Sequence, residues 1–105
     1  LGDVYKRQDY ITSKFTDIAI EWLNERNDPW FLWLAYNAPH APFHLPPLSL
    51  HERSELPNYQ ANIDNNPIDY YLSMIEAMDA ELGRLIDSLS EDVLENTFKQ
   101  IFELL

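Results

Sequence analysis

The chain has 105 residues, room for at most one small domain, and at 46% hydrophobic and 13% aromatic it reads as globular, not disordered. Eighteen Asp+Glu against seven Lys+Arg give a formal net charge of -11, with no basic cluster beyond Lys6-Arg7. That balance gives a phosphate backbone nothing to bind, so no nucleic-acid partner is expected, and the lack of cysteine removes disulfide and thiol chemistry.

Residues Leu1-Gly-Asp-Val-Tyr-Lys-Arg-Gln8 resemble an adapter-derived read-through found at the ends of conceptual translations. They are expected to be an artefactual tail, with 9–105 the folded part. From Ile11, apolar residues fall at Ile11, Phe15, Ile18, Ala19, Trp22 and Leu23, one face of a helix over about 12–26. Thr12 or Ser13 is the expected cap. Pro29 ends the helix, because the residue before a proline is pushed out of helical geometry.

Trp30-Phe-Leu-Trp-Leu-Ala-Tyr36 is apolar on both alternating faces. Such a run predicts a strand over 30–36 in the middle of a sheet covered on both sides. It is the longest apolar run and is far too short to span a bilayer, so no membrane partner is expected. Residues 37–50 form a proline-rich loop, and 51–66 are polar and irregular. Asn66 as N-cap, Pro67 at the first position and Asp69 in the first turn start a second helix over about 67–89. Its expected apolar stripe is Ile68, Tyr71, Leu72, Ile75, Met78, Leu82, Leu85, Ile86 and Leu89. Gly83 lies inside it at a cost of about 1 kcal/mol relative to Ala, to be explained by a close backbone approach or as a tolerated defect. The tail from Ser90 to Leu105 carries a local helical stripe and is expected to be helical in the isolated chain.

One strand with two apolar faces needs ladder partners and two covering layers. The expected fold class is therefore α/β, as part of a larger sheet covered by helices, with 9–105 incomplete at both ends.

His40 is the first candidate for chemistry. It follows the apolar run by four residues, in Asn37-Ala-Pro-His-Ala-Pro-Phe-His-Leu-Pro-Pro47, and ligand sites in open α/β sheets form beyond strand ends. Pro39 and Pro42 restrict the backbone around it, and an imidazole suits proton transfer at neutral pH. His40 and His44 are four apart, but the prolines rule out the helix that would turn this spacing into a metal site. His51 adds a third histidine without a recurring carboxylate spacing. Glu76, Asp79 and Glu81 on the second helix read as a solvated acidic face, with Asp79 closest to the apolar stripe.

These residues carry a family resemblance. Tyr10-Ile-Thr12 comes first, then Asp28-Pro-Trp-Phe-Leu-Trp-Leu-Ala-Tyr-Asn-Ala-Pro-His-Ala-Pro-Phe-His-Leu-Pro-Pro47. Tyr70-Tyr-Leu-Ser-Met-Ile-Glu-Ala-Met-Asp-Ala-Glu-Leu-Gly-Arg-Leu-Ile86 and Leu94-Glu-Asn-Thr97 follow. Over about 10–97 the chain resembles the middle of a sulfatase of the alkaline phosphatase superfamily. The resemblance implies hydrolysis of sulfate esters of glycans or aryl alcohols by a formylglycine nucleophile, with calcium neutralising the sulfate. His40 then contacts the ester and protonates the leaving oxygen, His44 binds substrate, and the parent enzyme is periplasmic or extracellular.

The departures are specific. No Cys-x-Pro-x-Arg or Ser-x-Pro-x-Arg occurs, so the nucleophile is missing. The paired acidic residues that open the family's fold are missing too. After Thr97 the sequence reads Phe-Lys-Gln-Ile-Phe-Glu-Leu-Leu105 in place of an Asp-Asn-Gly calcium site, so no metal ligand is assigned here. Ser13 stands where the family often has Asp. The isolated chain is accordingly expected to be inactive. A phosphate or phosphonate monoester hydrolase of the same superfamily, and a small acidic non-catalytic interaction domain, are the alternatives.

Overall fold

The computed structural model describes residues 10–96. The tail at 1–8 and everything expected of residues beyond Asn96 lie outside that range. Among the described residues there are helix α1 (Ile11–Asn24), a 3-10 turn (Leu48–Leu50), a short helix α2 (Gln60–Asn65) and a long helix α3 (Pro67–Asp87). Residues 91–96 are also helical.

The expected α/β sheet is overturned: there is no strand among the described residues. The period of the 30–36 segment is nevertheless visible. Trp30, Leu32, Leu34 and Tyr36 are half-buried, while Phe31 and Trp33 are 80% and 81% exposed. A strand exists only when its backbone pairs with a neighbour, and here side chains alone hold the segment. Trp30 meets Trp22 of α1 edge-on at 6.4 Å, and Tyr36 lies 6.3 Å from Phe15. Helix α1 thus covers one side of an extended run.

The two main helices start and stop close to where their sequence signals lie, but their buried faces are rotated from the apolar stripes. In α1 the buried residues are Thr12, Ser13, Thr16 and Ala19, and Ile11 and Ile18 are exposed. In α3 they are Tyr70, Ser73, Met74, Ala77, Glu81 and Leu85, with Ile68 and Leu82 exposed. The buried face of α1 is small and hydroxyl-bearing throughout, whereas α3 buries the bulkier Tyr70, Met74 and Leu85 beside Ser73 and Ala77. Thr12 and Ser13 therefore lie inside α1, and Tyr10 takes the cap position without a side-chain bond. Asn66 does cap α3, with Pro67 at its first position, but its side chain donates to Asn62 and not to the α3 backbone.

A polar node joins α1 to α3. Glu81, only 3% exposed, accepts from the Ser13 hydroxyl at 3.0 Å and from Arg84 Nε and a terminal nitrogen at 2.9 and 2.6 Å. The same Arg84 nitrogen reaches Asp17 at 2.7 Å and the Ser13 carbonyl at 3.2 Å. Glu81 therefore departs from the solvated face expected of this helix, while Asp79 is exposed.

Helix α2 is too short to carry a periodic apolar signal. It buries Ile63, is bridged by Gln60 donating to Asp64, and reaches α3 through Asn62 donating to the Tyr70 hydroxyl. Tyr70, fully buried, in turn donates to the Pro57 carbonyl and pins the preceding loop. On the other side, Arg53 Nε and the Glu52 backbone N–H both donate to Glu76 of α3.

Two outcomes follow from these contacts. A Cβ at Gly83 meets nothing within 4 Å, so the close-approach explanation fails and Gly83→Ala should raise stability by about 1 kcal/mol in a far-UV thermal melt. The Glu52 N–H, with Arg53 in support, holds the Glu76 carboxyl below its ordinary 4.5. A depressed carboxyl stabilises the fold above its unfolded value and loses that contribution as the pH falls through the folded one. Denaturation at pH values above and below 4.5 should therefore show Glu76→Gln less stable than wild type at the higher pH, with the gap closing at the lower.

Candidate active site

His40 sits at the tip of the loop that follows the extended segment. Its backbone N–H donates to the Asn37 carbonyl at 2.9 Å, closing a turn over 37–40, and the Ala38–Pro39 and Ala41–Pro42 bonds are both cis. The imidazole is exposed. Nδ1 lies 2.6 Å from the Ala41 carbonyl. A carbonyl only accepts, so Nδ1 carries the hydrogen and Nε2 presents its other position outward. Nε2 has no hydrogen-bond partner among the described residues.

His44 is held differently. Nδ1 donates to the Pro42 carbonyl at 3.1 Å, and Nε2 accepts from the Tyr10 hydroxyl at 3.0 Å, the two rings meeting edge to face at 5.4 Å. Both nitrogens are thus engaged inside the protein. His51, buried, takes the opposite tautomer: Nδ1 accepts the Arg53 backbone N–H at 3.1 Å, and Nε2 donates to the Pro46 carbonyl at 3.1 Å.

Further contacts fix the arms of this loop. Before His40, the Tyr36 hydroxyl lies 2.6 Å from Thr16 Oγ1, which itself donates to the Thr12 carbonyl at 3.4 Å, so Tyr36 is the donor. Burial pushes the phenols of Tyr36 and Tyr10 upward, with the Glu81 carboxylate adding to both, which keeps each protonated as a donor. After His40, Phe43 packs edge-on against Tyr71 of α3 at 5.6 Å. Tyr10, Thr16 and Tyr36 carried no spacing or periodicity signal as functional residues. Tyr10 and Tyr36 fall inside segments that carry the resemblance, but neither was marked there as functional, and Thr16 lies outside those segments.

The described arginines are engaged away from His40, while Lys14 of α1 is exposed. Arg53 pairs with Glu76 at 3.1 Å, Arg84 with Glu81 and Asp17, and Arg26 with Glu25 while stacking on Trp22. No group of three or more His, Cys, Asp or Glu among the described residues could hold a metal ion. A groove of about 470 Å³ lined by His51, Glu52, Glu76 and Asp79 is acidic, does not include His40, and suits an anion poorly. No helix among the described residues is long and apolar enough to cross a membrane.

The tautomers are directly measurable. Long-range ¹H–¹⁵N spectra of the neutral imidazoles should show His40 and His44 with hydrogen on Nδ1 and His51 with hydrogen on Nε2. The more common Nε2–H form at all three positions would contradict the loop geometry.

Comparison with known proteins supplies the family. No curated protein and no solved structure matches the chain. The Sulfatase family model matches residues 2–98, nearly the whole chain, and the chain belongs to the sulfatase family.

Proposed function

We propose that this chain supplies the leaving-group acid, His40, of a sulfuric ester hydrolase. One observation carries the reading: an exposed imidazole on a loop secured on both arms, with Nδ1 tied to the Ala41 carbonyl and Nε2 open. In the charged form, Nε2–H donates to the bridging ester oxygen as its bond to sulfur breaks. The alcohol leaves with that proton, and the ring remains as the neutral Nδ1–H form that the carbonyl already favours. The carbonyl also fixes the ring plane, so little orientational freedom is lost at the moment of transfer.

The rest of the chemistry comes from residues this chain does not hold. The sequence has no cysteine and no Ser-x-Pro-x-Arg, so a formylglycine nucleophile belongs to another part of the polypeptide. The described residues do not fit a calcium site. Most of the positive charge for the sulfate is read as external to this segment, because its described arginines are committed to carboxylates and only the exposed Lys14 remains. On this reading the 105-residue chain alone is inactive. The substrate is a sulfated glycan or an aryl sulfate, and the enzyme is exported to the periplasm or beyond. His44, expected to bind substrate, is read instead as a loop support, since both of its nitrogens are taken. The family match favours sulfate over the phosphate or phosphonate alternative.

The test compares leaving groups. An alkoxide needs a proton to depart, whereas a nitrophenolate does not. General acid catalysis contributes about 10²- to 10⁴-fold, roughly 3 to 5 kcal/mol of barrier. In the full-length enzyme, His40→Ala should lose kcat/KM on that scale with alkyl sulfates and far less with activated aryl sulfates, at an unchanged melting temperature. Equal losses on both classes would leave His40 a sulfate-binding role only.

A further inference from the structure

We infer that Tyr10 and Thr16 are positioning residues that aim His40, acting as two hydroxyl anchors on one helix for the two arms of its loop. The inference rests on the reading of His40 as the acid and extends it to residues that never touch substrate.

The geometry is that of a staple. Thr16 and Tyr10 are six residues apart at the start of α1, roughly 9 Å along the helix axis. Thr16 accepts from Tyr36, four residues before His40, and Tyr10 donates to His44, four residues after it. The nine-residue span from Tyr36 to His44 is therefore tied at both ends to the same rigid element. Its internal bonds, from His40 N–H to Asn37 and from the two Nδ1 atoms to Ala41 and Pro42, all lie between the anchors.

The anchors are well placed to resist motion. Thr16 is fully buried, and α1 is itself held to α3 through Ser13, Glu81 and Arg84. Thr16 cannot easily swing, because its hydroxyl is also tied to the Thr12 carbonyl one turn earlier. At Tyr10, the ring packs edge-on against His44 in addition to the hydrogen bond, so two contacts define the angle of the outgoing arm. His44 answers with a fixed tautomer: the Pro42 carbonyl holds hydrogen on Nδ1 and leaves Nε2 as the acceptor Tyr10 requires. Loss of either anchor frees one arm and lets the imidazole of His40 wander from its line to the leaving oxygen. A displacement near 1 Å at a reacting group can cost about a hundredfold in rate.

A positioning role predicts a selective signature. If Tyr10 and Thr16 act through His40, their loss must reproduce the leaving-group pattern of His40→Ala. In the full-length enzyme, Tyr10→Phe and Thr16→Val should each lower kcat/KM on alkyl sulfates by about ten- to hundredfold, and much less on activated aryl sulfates. Tyr36→Phe removes the donor of the same pair from a less buried position, and serves if Thr16→Val does not fold. In Tyr10→Phe the His44 Nε2 resonance should also shift as its donor disappears. A uniform loss on both substrate classes, or full activity in the hydroxyl variants beside a selectively impaired His40→Ala, overturns the anchoring role and leaves His40 as the acid. A His40→Ala enzyme with no leaving-group dependence overturns the reading of His40 and the anchoring role with it.

Discussion

A carboxylate withdrawn from water costs several kcal/mol unless its oxygens are fully met, roughly the whole stability of a small domain. Glu81 is such a group, and the arrangement of α1 against α3 answers it. Ser13 satisfies one oxygen from the facing helix, Arg84 satisfies the other from one turn along the same helix, and Arg84 then crosses to Asp17 and the Ser13 carbonyl. The hydrogen bonds are short and directional, so they fix the register of the two helices more sharply than apolar contact could. Around this node α1 buries only the small Thr12, Ser13, Thr16 and Ala19, and α3 places Ser73 and Ala77 among its buried residues beside Tyr70, Met74 and Leu85.

With α1 fixed, its other surfaces can organise the rest. Trp22 and Phe15 hold the extended segment, and Thr16 and Tyr10 hold the loop that carries His40. On the far side, Glu76 and Tyr70 of α3 pin the chain from Glu52 to Pro57. The histidines divide along the same lines. His44 and His51 spend both ring nitrogens on the fold, and His40 alone among the three leaves one outward.

The start of α3 was legible because Asn66-Pro67 act locally on the backbone, whereas α1 ends at Asn24, before the stop expected from Pro29. The period-2 character of 30–36 was legible too, and it survives as alternating exposure. The sheet was not, because pairing is a property of a partner strand, and apolar alternation states only that one would fit. The buried faces of both helices were misread for a different reason. Apolar periodicity marks where bulk lies, while the buried face of α1 is small and polar and that of α3 includes Glu81, whose acidic type argues for solvent until Ser13 and Arg84 are seen around it. Ser13 was visible only as a departure from the pattern that the family resemblance implies, which often has Asp there. Its meaning needed the structure: an aspartate there would set a second carboxylate against Glu81. His40 was singled out from its place after the apolar run and from the family resemblance, whereas Tyr10 and Thr16, the hydroxyls proposed to anchor its loop, have no pattern of their own.

The central claim is that His40 gives its proton to the ester's bridging oxygen as the bond to sulfur breaks. The most direct measurement is the ¹⁸O kinetic isotope effect at that oxygen with an alkyl sulfate, in the wild-type full-length enzyme and in His40→Ala. Breaking the bond raises the effect, and simultaneous protonation offsets it. The account predicts a small effect in wild type and a clearly larger one in His40→Ala. The same effect in both would show that the leaving oxygen departs without a proton from His40, and would contradict the account.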